Sequence, residues 1–409
     1  MEPLLFAPET WNLSETLRML AIAKASCQSF NPVFLSYGGR FTNMVQESGF
    51  PVHELEPRLT EEKAEHLVQI DRMEKRGDFF EVDELTQRVE NEIGLLSKLN
   101  PVAVVTGFCL STVVSCRAAR IPLVWVIAAP GVKPYFHAGL GTWPDAFDSP
   151  FLRWIPEGIL NWITNKLIIK SKMLTGSINQ VARAFEVLEF SSFLDIVESE
   201  CTLLSDVPEM TGIKELPPAY HYIGPILSET GGEVPDEIRN LPKDKPIIYF
   251  AMGSSGNPQI IREILEGFSG KPYSVIAPVS AQLQGLPVNV PGNVLVTGWI
   301  PALKVNPMAD ISVIHGGQGT VYTACASGTP VVGVGMQPEQ EANLECLVRK
   351  GIAIRIRKRR LTARAILSAI DKLLQDTEAR TKAQAFSEIV KSWNGAENAA
   401  KILAERFRP

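Results

Sequence analysis

The sequence predicts an α/β protein of two doubly wound, Rossmann-like domains, each built on a parallel sheet. Three observations carry that expectation. The chain has 409 residues, too many for one ordinary core and enough for two. Short β-rich apolar runs alternate with longer segments of helical period, the pattern of βαβ units whose strands are buried on both faces. The alternation breaks once, in a proline-rich stretch, and then restarts.

In the first half, "PLLFAP" (3–8) reads as a strand because its apolar run is short and bounded by prolines, and "SETLRMLAIAKA" (14–25) reads as the helix after it. "NPVFLSY" (31–37) and "RFTNMVQES" (40–48) repeat the pair, as do "VAVVTG" (102–107) and "LSTVVSCRAAR" (110–120). "PLVWVIA" (122–128) follows, and "CTLLSD" (201–206) is read as the last strand of this domain. The next stretch has prolines at 208, 217, 218 and 225 and no helical period, so 207–224 is expected to be a linker. The second domain, 225–395, takes its strands from "PIIYFAMG", "YSVIAP", "NVLVTGW", "ISVIHGG", "PVVGVG" and "IAIRI", with helices such as "PQIIREILEGF" and "ARAILSAIDKLL" between them. The terminal helical pattern within 396–409 either completes that domain or crosses back to the first.

Composition narrows the function. Hydrophobic residues make up 45% and charged residues 21%, with no apolar run of the length a transmembrane helix needs. The start, "MEPLLFAPET", lacks the basic, then apolar pattern of a signal peptide, and six scattered cysteines form no metal or disulfide framework, so a reducing cytoplasm is expected. A net charge of −5 argues against a nucleic-acid partner, and the basic run "RIRKRR" (355–360), without interleaved aromatics, reads as a solvated surface. No pair of acids sits where a metal-bound diphosphate would need it, so neither a metal nor a resident cofactor is expected.

Open α/β sheets bind ligands at the carboxyl ends of their strands, where loop amides and helix N-termini favour anions. Two such ends stand out. In "YFAMGSSGNP" the strand ends at Met252 and turns through Gly253, Ser254, Ser255 and Gly256, small residues that a phosphate can approach, although an ordinary strand-to-helix turn has the same composition. In "SVIHGGQGT", His315 leads into Gly316, Gly317 and Gly319, with Thr320 placed to cap the next helix. Those glycines remove side chains that would bar a diphosphate, and His315 has an N–H to donate. Upstream stands Gly298-Trp299-Ile300-Pro301; downstream come Gly328-Thr329-Pro330 and Glu339-Gln340 with Asn343.

In this order and spacing the second half resembles the donor domain of GT-B glycosyltransferases of the family one, UDP-glycosyltransferase-like group. The resemblance is strong from about 245 to 355 and architectural before that. It implies two Rossmann-like domains facing across a cleft, acceptor on the first and a nucleotide-sugar co-substrate on the second. It also implies residue roles: Trp299 stacking on the base with the Ile300 backbone reading its edge, Ser254, Ser255, His315, Gly317, Gly319 and Thr320 around the diphosphate, and Glu339 and Gln340 on the sugar hydroxyls. A core tryptophan and a solvated Glu-Gln pair are the plainer alternatives.

Two departures from the family pattern matter. Relatives that use a ribonucleotide commonly have a Glu, bridging both ribose hydroxyls, where this chain has Thr323; relatives using dTDP-sugars commonly lack it, so UDP- and dTDP-sugars both stand as donors. Inverting relatives place a catalytic His after the first strand, oriented by an Asp from a later one. Here Asn12 holds the His position and Thr106-Gly107 the Asp position, leaving Glu9 and Glu15 as the nearest carboxylates, His137 in reserve, or an acceptor that is already anionic. The stretch 134–175 is rich in aromatics, large aliphatics and, toward its end, lysines. It reads first as a lid over a hydrophobic small-molecule or lipid acceptor, with a peripheral membrane contact through 151–173 or plain domain packing as alternatives. The function expected is therefore inverting, metal-independent sugar transfer to an apolar acceptor. The rivals are a non-catalytic homologue acting as a partner subunit, and, more remotely, a 2-epimerase-like enzyme.

Overall fold

A computed structural model describes residues 1–71, 75, 77–213, 215–227, 231–252 and 258–408. The chain divides into two compact units: Met1–Gly141, Pro156–Ser228 and Trp393–Pro409 form one, Thr142–Ile155 and Glu229–Ser392 the other.

The first unit holds a seven-stranded sheet in the order β3-β2-β1-β4-β5-β6-β7. Its strands are β1 (Pro3–Ala7), β2 (Asn31–Ser36), β3 (Val52–Glu54), β4 (Val104–Thr106), β5 (Leu123–Ile127), β6 (Cys201–Leu204) and β7 (Tyr220–Tyr222), all parallel to their neighbours. Alternate residues of β1 serve opposite faces: Leu4 and Phe6 enter one core cluster, Leu5 and Ala7 another. The strand order reverses between β1 and β4, so the crevice where a doubly wound sheet takes its ligand lies above their carboxyl ends. Two strands exceed the sequence reading. β3 and β7 have three residues each, too few to show a period, and β7 lies within the stretch whose prolines read as linker.

The second unit holds six parallel strands in the order β10-β9-β8-β11-β12-β13. They are β8 (Ile247–Ala251), β9 (Ser274–Ala277), β10 (Val294–Val296), β11 (Ile311–Ile314), β12 (Val331–Gly333) and β13 (Ala353–Arg355). Ile248 and Phe250 face one core and Ile247, Tyr249 and Ala251 the other, as burial on both faces requires. Here the order reverses between β8 and β11, the strand that leads into His315.

Six helices matter below: α1 (Leu13–Ser26), α2 (Val82–Leu99), α3 (Glu157–Ile169), α4 (Gln318–Ser327), α5 (Pro338–Arg349) and α6 (Gly395–Phe407). α6 packs on α1, where Ala399 and Leu403 join Met19, Ile22 and Ala23 in the core beneath β1. Asn398 Nδ2 donates to the Ile223 carbonyl at 2.8 Å, just beyond β7, which fixes the helix along the sheet edge. Leu403→Ala should therefore lower stability by about 2–5 kcal/mol, whereas Lys401→Ala, on the exposed side, should change it by less than about 0.5 kcal/mol. Urea midpoints read both, and equal midpoints for the two variants would show that α6 adds nothing to this core.

Candidate active site

The donor-side residues are built on the β8–β11 switch point. β11 is buried throughout, and His315 follows it with 9% of its surface exposed. Burial pushes the imidazole pKa down to about 4, so the ring is neutral at physiological pH. Its Nδ1 is buried without a partner among the described residues. Gly316 has φ +87°, and a Cβ there would stand 2.6 Å from the Gln340 carbonyl oxygen, so only glycine fits. At Gly317 a Cβ would stand 2.6 Å from His315 Nε2; this residue leaves the ring its room. At Gly319 a Cβ would meet nothing within 4 Å, leaving the first turn of α4 open.

Thr320 does not cap that helix. Gly317 (φ −60°, ψ 142°) takes the N-cap position with no side-chain hydrogen bond, and α4 begins at Gln318. Thr320 lies within the first turn, where its hydroxyl donates to the Gly317 carbonyl at 2.8 Å. A helix start without a side-chain cap and with no acid in its first turn suits an anion.

α5 presses against this turn. Asn343 Nδ2 donates to the Gly316 carbonyl at 3.1 Å and to Glu339 Oε1 at 3.2 Å, which holds the exposed Glu339 beside the glycines. Gln340 is buried, and its Oε1 accepts from the Met336 amide at 3.0 Å while its Nε2 donates to Gln337. Of the adjacent pair, Glu339 is the one presented outward. Trp299, just after β10, is 70% exposed, so it is not a core residue, while Ile300 beside it is buried against Val305 and Ile238. Thr323 lies exposed on α4, its hydroxyl donating to the Gly319 carbonyl at 2.8 Å. Gly253, Ser254 and Ser255 lie outside the described residues.

One cluster escaped the sequence reading. Arg355, first of the basic run, is buried rather than solvated: it binds Asp145 Oδ1 at 2.8 Å and Glu341 Oε2 at 3.1 Å. Asp145 also accepts from the Lys358 amide, and its own amide donates to Glu341. Arg359 pairs with Asp148 at 2.8 Å. The acids come from more than 200 positions earlier in the chain, from the strap 142–155, so no local pattern announced them. Burial, then Asp145, raise the Glu341 carboxyl to about 7.

On the first unit, the residues singled out for proton transfer take three different states. Asn12 is the N-cap of α1, its Oδ1 accepting from the Glu15 amide at 3.2 Å. Glu9 is buried and ion-paired with Arg88 of α2 at 2.7 Å; that guanidinium lies between the rings of Tyr37 and Phe80, 3.9 and 4.1 Å from their centroids. Glu15 is buried, one oxygen accepting from the Gly107 amide at 3.2 Å and the other without a partner. Burial first, and the nearby Glu9 second, raise its carboxyl to about 8. Thr106 ties the two strand ends, donating to the Ala7 carbonyl at 2.9 Å and accepting from the Cys109 amide at 3.0 Å. Above them Trp11 packs edge-on to Phe108, and Phe108 edge-on to Phe79, a half-buried aromatic surface. His137 is exposed on a short helix.

Two doubly wound parallel sheets in one chain, with a His-Gly-Gly turn at the second switch point and an exposed tryptophan in the Trp-x-Pro loop, define a GT-B protein. Residues 264–405 match the erythromycin biosynthesis protein CIII-like C-terminal domain. A PGL/p-HBAD biosynthesis glycosyltransferase of Mycobacterium tuberculosis (strain ATCC 25177 / H37Ra) is 26% identical over 388 residues, 94% of this chain and 88% of that protein. A PGL/p-HBAD biosynthesis rhamnosyltransferase of Mycobacterium bovis (strain BCG / Pasteur 1173P2) is 25% identical, covering 98% and 88%. An inactive PGL/p-HBAD biosynthesis glycosyltransferase of the same strain is 26% identical over 64% of this chain and 69% of its own. Among solved structures, the spinosyn forosaminyltransferase SpnP aligns with TM-score 0.70 at 17% identity, covering 99% and 98%. The spinosyn rhamnosyltransferase SpnG complexed with thymidine diphosphate aligns at 0.66 and 13%, covering 98% and 100%. The chain has the GT-B fold, and it is similar over nearly its whole length to these glycosyltransferases.

Glu15 supplies a test of this geometry. With its pKa raised from 4.5 to about 8, the folded protein keeps a proton that the unfolded chain releases across that interval, so this carboxyl costs stability progressively as pH rises from 4.5 to about 8. Glu15→Gln, neutral throughout, should match wild type near the lower pH and exceed it at the upper one by an amount on the order of a few kcal/mol. Melting temperatures across that range check it; a difference that does not grow with pH would mean the carboxyl ionises normally in the fold.

Proposed function

We propose that this protein transfers a sugar from a nucleoside-diphosphate sugar to a hydrophobic acceptor, inverting the anomeric carbon and without a metal. One observation carries the reading: His315 is buried and neutral, its Nδ1 has no partner among the described residues, and it stands at a glycine turn that opens into an uncapped helix. Such a turn stabilises the charge that develops on a leaving diphosphate by hydrogen bonds and the helix dipole. Trp299 offers an exposed ring for the base, Glu339 a carboxylate for sugar hydroxyls, with Gln340 bracing the loop behind it. Thr323 supports a thymidine donor, since it supplies no carboxylate to grip a 2′-hydroxyl, and the thymidine diphosphate named for SpnG is consistent with that choice.

The acceptor would rest on Trp11 and Phe108 above β1 and β4, as an aromatic or aliphatic group. Glu15 is the candidate proton acceptor, because Asn12 is spent on capping and has no basic nitrogen, and Glu9 is held by Arg88. With its pKa raised to about 8, only its ionised form would accept a proton, a fraction that grows toward alkaline pH, and an acidic acceptor such as a phenol would ask least of it. Asn12 acting purely as a cap also favours a second reading, in which the protein binds nucleotide sugar without turnover as a partner subunit.

Calorimetry with UDP and dTDP tests the donor site. His315→Ala should weaken both nucleotides without unfolding the protein, and Trp299→Ala should cost about 1–3 kcal/mol of affinity. Unchanged affinity in both variants would remove the diphosphate reading. Wild type should bind UDP and dTDP comparably, and Thr323→Glu should improve UDP selectively by adding acceptors for both ribose hydroxyls. A wild-type preference for UDP of about a hundredfold, some 2.7 kcal/mol, would show that another residue holds the ribose. Nucleotide binding with no turnover on any phenol or alcohol would select the partner-subunit reading.

A further inference from the structure

An amphipathic helix on a globular surface turns its apolar stripe inward. α3 does the reverse. Its buried face carries Leu160 with the polar Thr164 and Asn165. Asn165 is fully engaged there, accepting from the Gly141 amide at 2.9 Å and donating to the Gly141 and Asn161 carbonyls at 3.1 and 2.7 Å. Thr164 donates to the Leu160 carbonyl at 3.0 Å. Rotating the helix about its axis would break the two bonds between Asn165 and Gly141, so this polar face is the one anchored.

The outward face carries Ile159, Trp162 and Leu167, which are 50, 62 and 61% exposed, and Met173 is exposed just beyond the end of the helix. These residues follow the i, i+3, i+8 spacing of one helical side. The segment leading into α3 also exposes Phe151 and Trp154. Over 157–173 the charged residues are Glu157 alone at the start and Lys166, Lys170 and Lys172 toward the end, all exposed.

We infer that the outward face of α3 is a docking surface for an anionic lipid bilayer. The charge decides between a bilayer and a protein partner. Lysine is depleted in protein interfaces, whereas exposed Trp and Leu with lysines one turn apart are the composition of a helix lying at a lipid interface. Indole sits at the headgroup level, the aliphatic side chains enter the acyl boundary, and the lysine stems extend along apolar surface to place their ammonium groups at phosphates. The helix rests on the membrane rather than crossing it; no helix among the described residues is long and apolar enough to span one. This surface goes beyond the transfer reading and is independent of it, although it would bring the protein to lipid acceptors.

Co-sedimentation of the full chain with vesicles tests the inference. Vesicles of phosphatidylcholine and phosphatidylglycerol, at roughly two to one, should bind at least about tenfold more tightly than phosphatidylcholine alone, and the preference should fade with salt. Trp162→Ser with Leu167→Ser should abolish binding to both. Lys166→Glu with Lys170→Glu should abolish the preference for the anionic vesicle. All four sites are exposed, so melting temperatures should stay within a few degrees of wild type and show that the variants fold. Wild type left in the supernatant with both vesicles would overturn the inference. So would vesicle binding that survives Trp162→Ser with Leu167→Ser, or a dimer in sedimentation analysis that the same pair of changes breaks while vesicles bind neither form.

Discussion

The second unit depends on how closely α5 approaches the carboxyl ends of β11 and β12. A Cβ at Gly316, Gly333 or Gly335 would stand 2.6, 2.2 and 2.6 Å from the Gln340 carbonyl, Leu344 and Glu341. No side chain fits between helix and strands at these positions. That approach lets Asn343 reach the Gly316 carbonyl, sets Glu339 beside the turn and lets Gln340 close the loop after β12. The rest of the site follows from it: the turn is held from behind by α5, so the imidazole of His315 and the open first turn of α4 are presented by a rigid backbone. Preorganisation of this kind is what electrostatic stabilisation of a leaving group requires.

Burial sets the charge state of the titratable groups at the strand ends, and it does so differently at each. His315 loses its proton because burial penalises the charged ring. Glu15 keeps its proton for the same reason, with Glu9 adding to the effect. Glu9 is ion-paired with Arg88 at 2.7 Å, and that guanidinium is itself held between two aromatic rings. A buried acid with a cation at 2.7 Å, Glu9, thus follows β1, and a buried acid bonded to the Gly107 amide, Glu15, stands in the first turn of α1. The pair divides into a structural ion pair and a titratable group.

The insertion 134–175 is not one element. Its strap, 142–155, is fastened by Asp145 to Arg355 at the end of β13 and by Asp148 to Arg359 beyond it, within the second unit, while α3 is fastened by Asn165 within the first. A lid that moved freely would lack such ties. The outward apolar face of α3 is therefore a fixed feature of the first unit.

The sequence by itself determined the parts that depend on near neighbours in the chain. Apolar runs with helical segments between them announced two parallel sheets, because a strand buried on both faces leaves its mark locally. The glycines after His315 announced a turn at a strand end, since backbone space and positive φ are properties of the residue itself. Trp299 could be named but not placed; only the fold shows that it faces outward. β3 and β7 are too short to carry a pattern, and tertiary pairing alone makes them strands. Asp145 and Arg355 lie 210 positions apart, so their ion pair was invisible until the chain folded. The same holds for Glu15, which the sequence offered only as one of the nearest carboxylates, whereas burial beside Gly107 makes it a protonated carboxyl. For α3, apolar and polar residues were legible in order, but which side faces the protein was decided by Asn165 bonding to the backbone of Gly141, a contact that exists only in three dimensions.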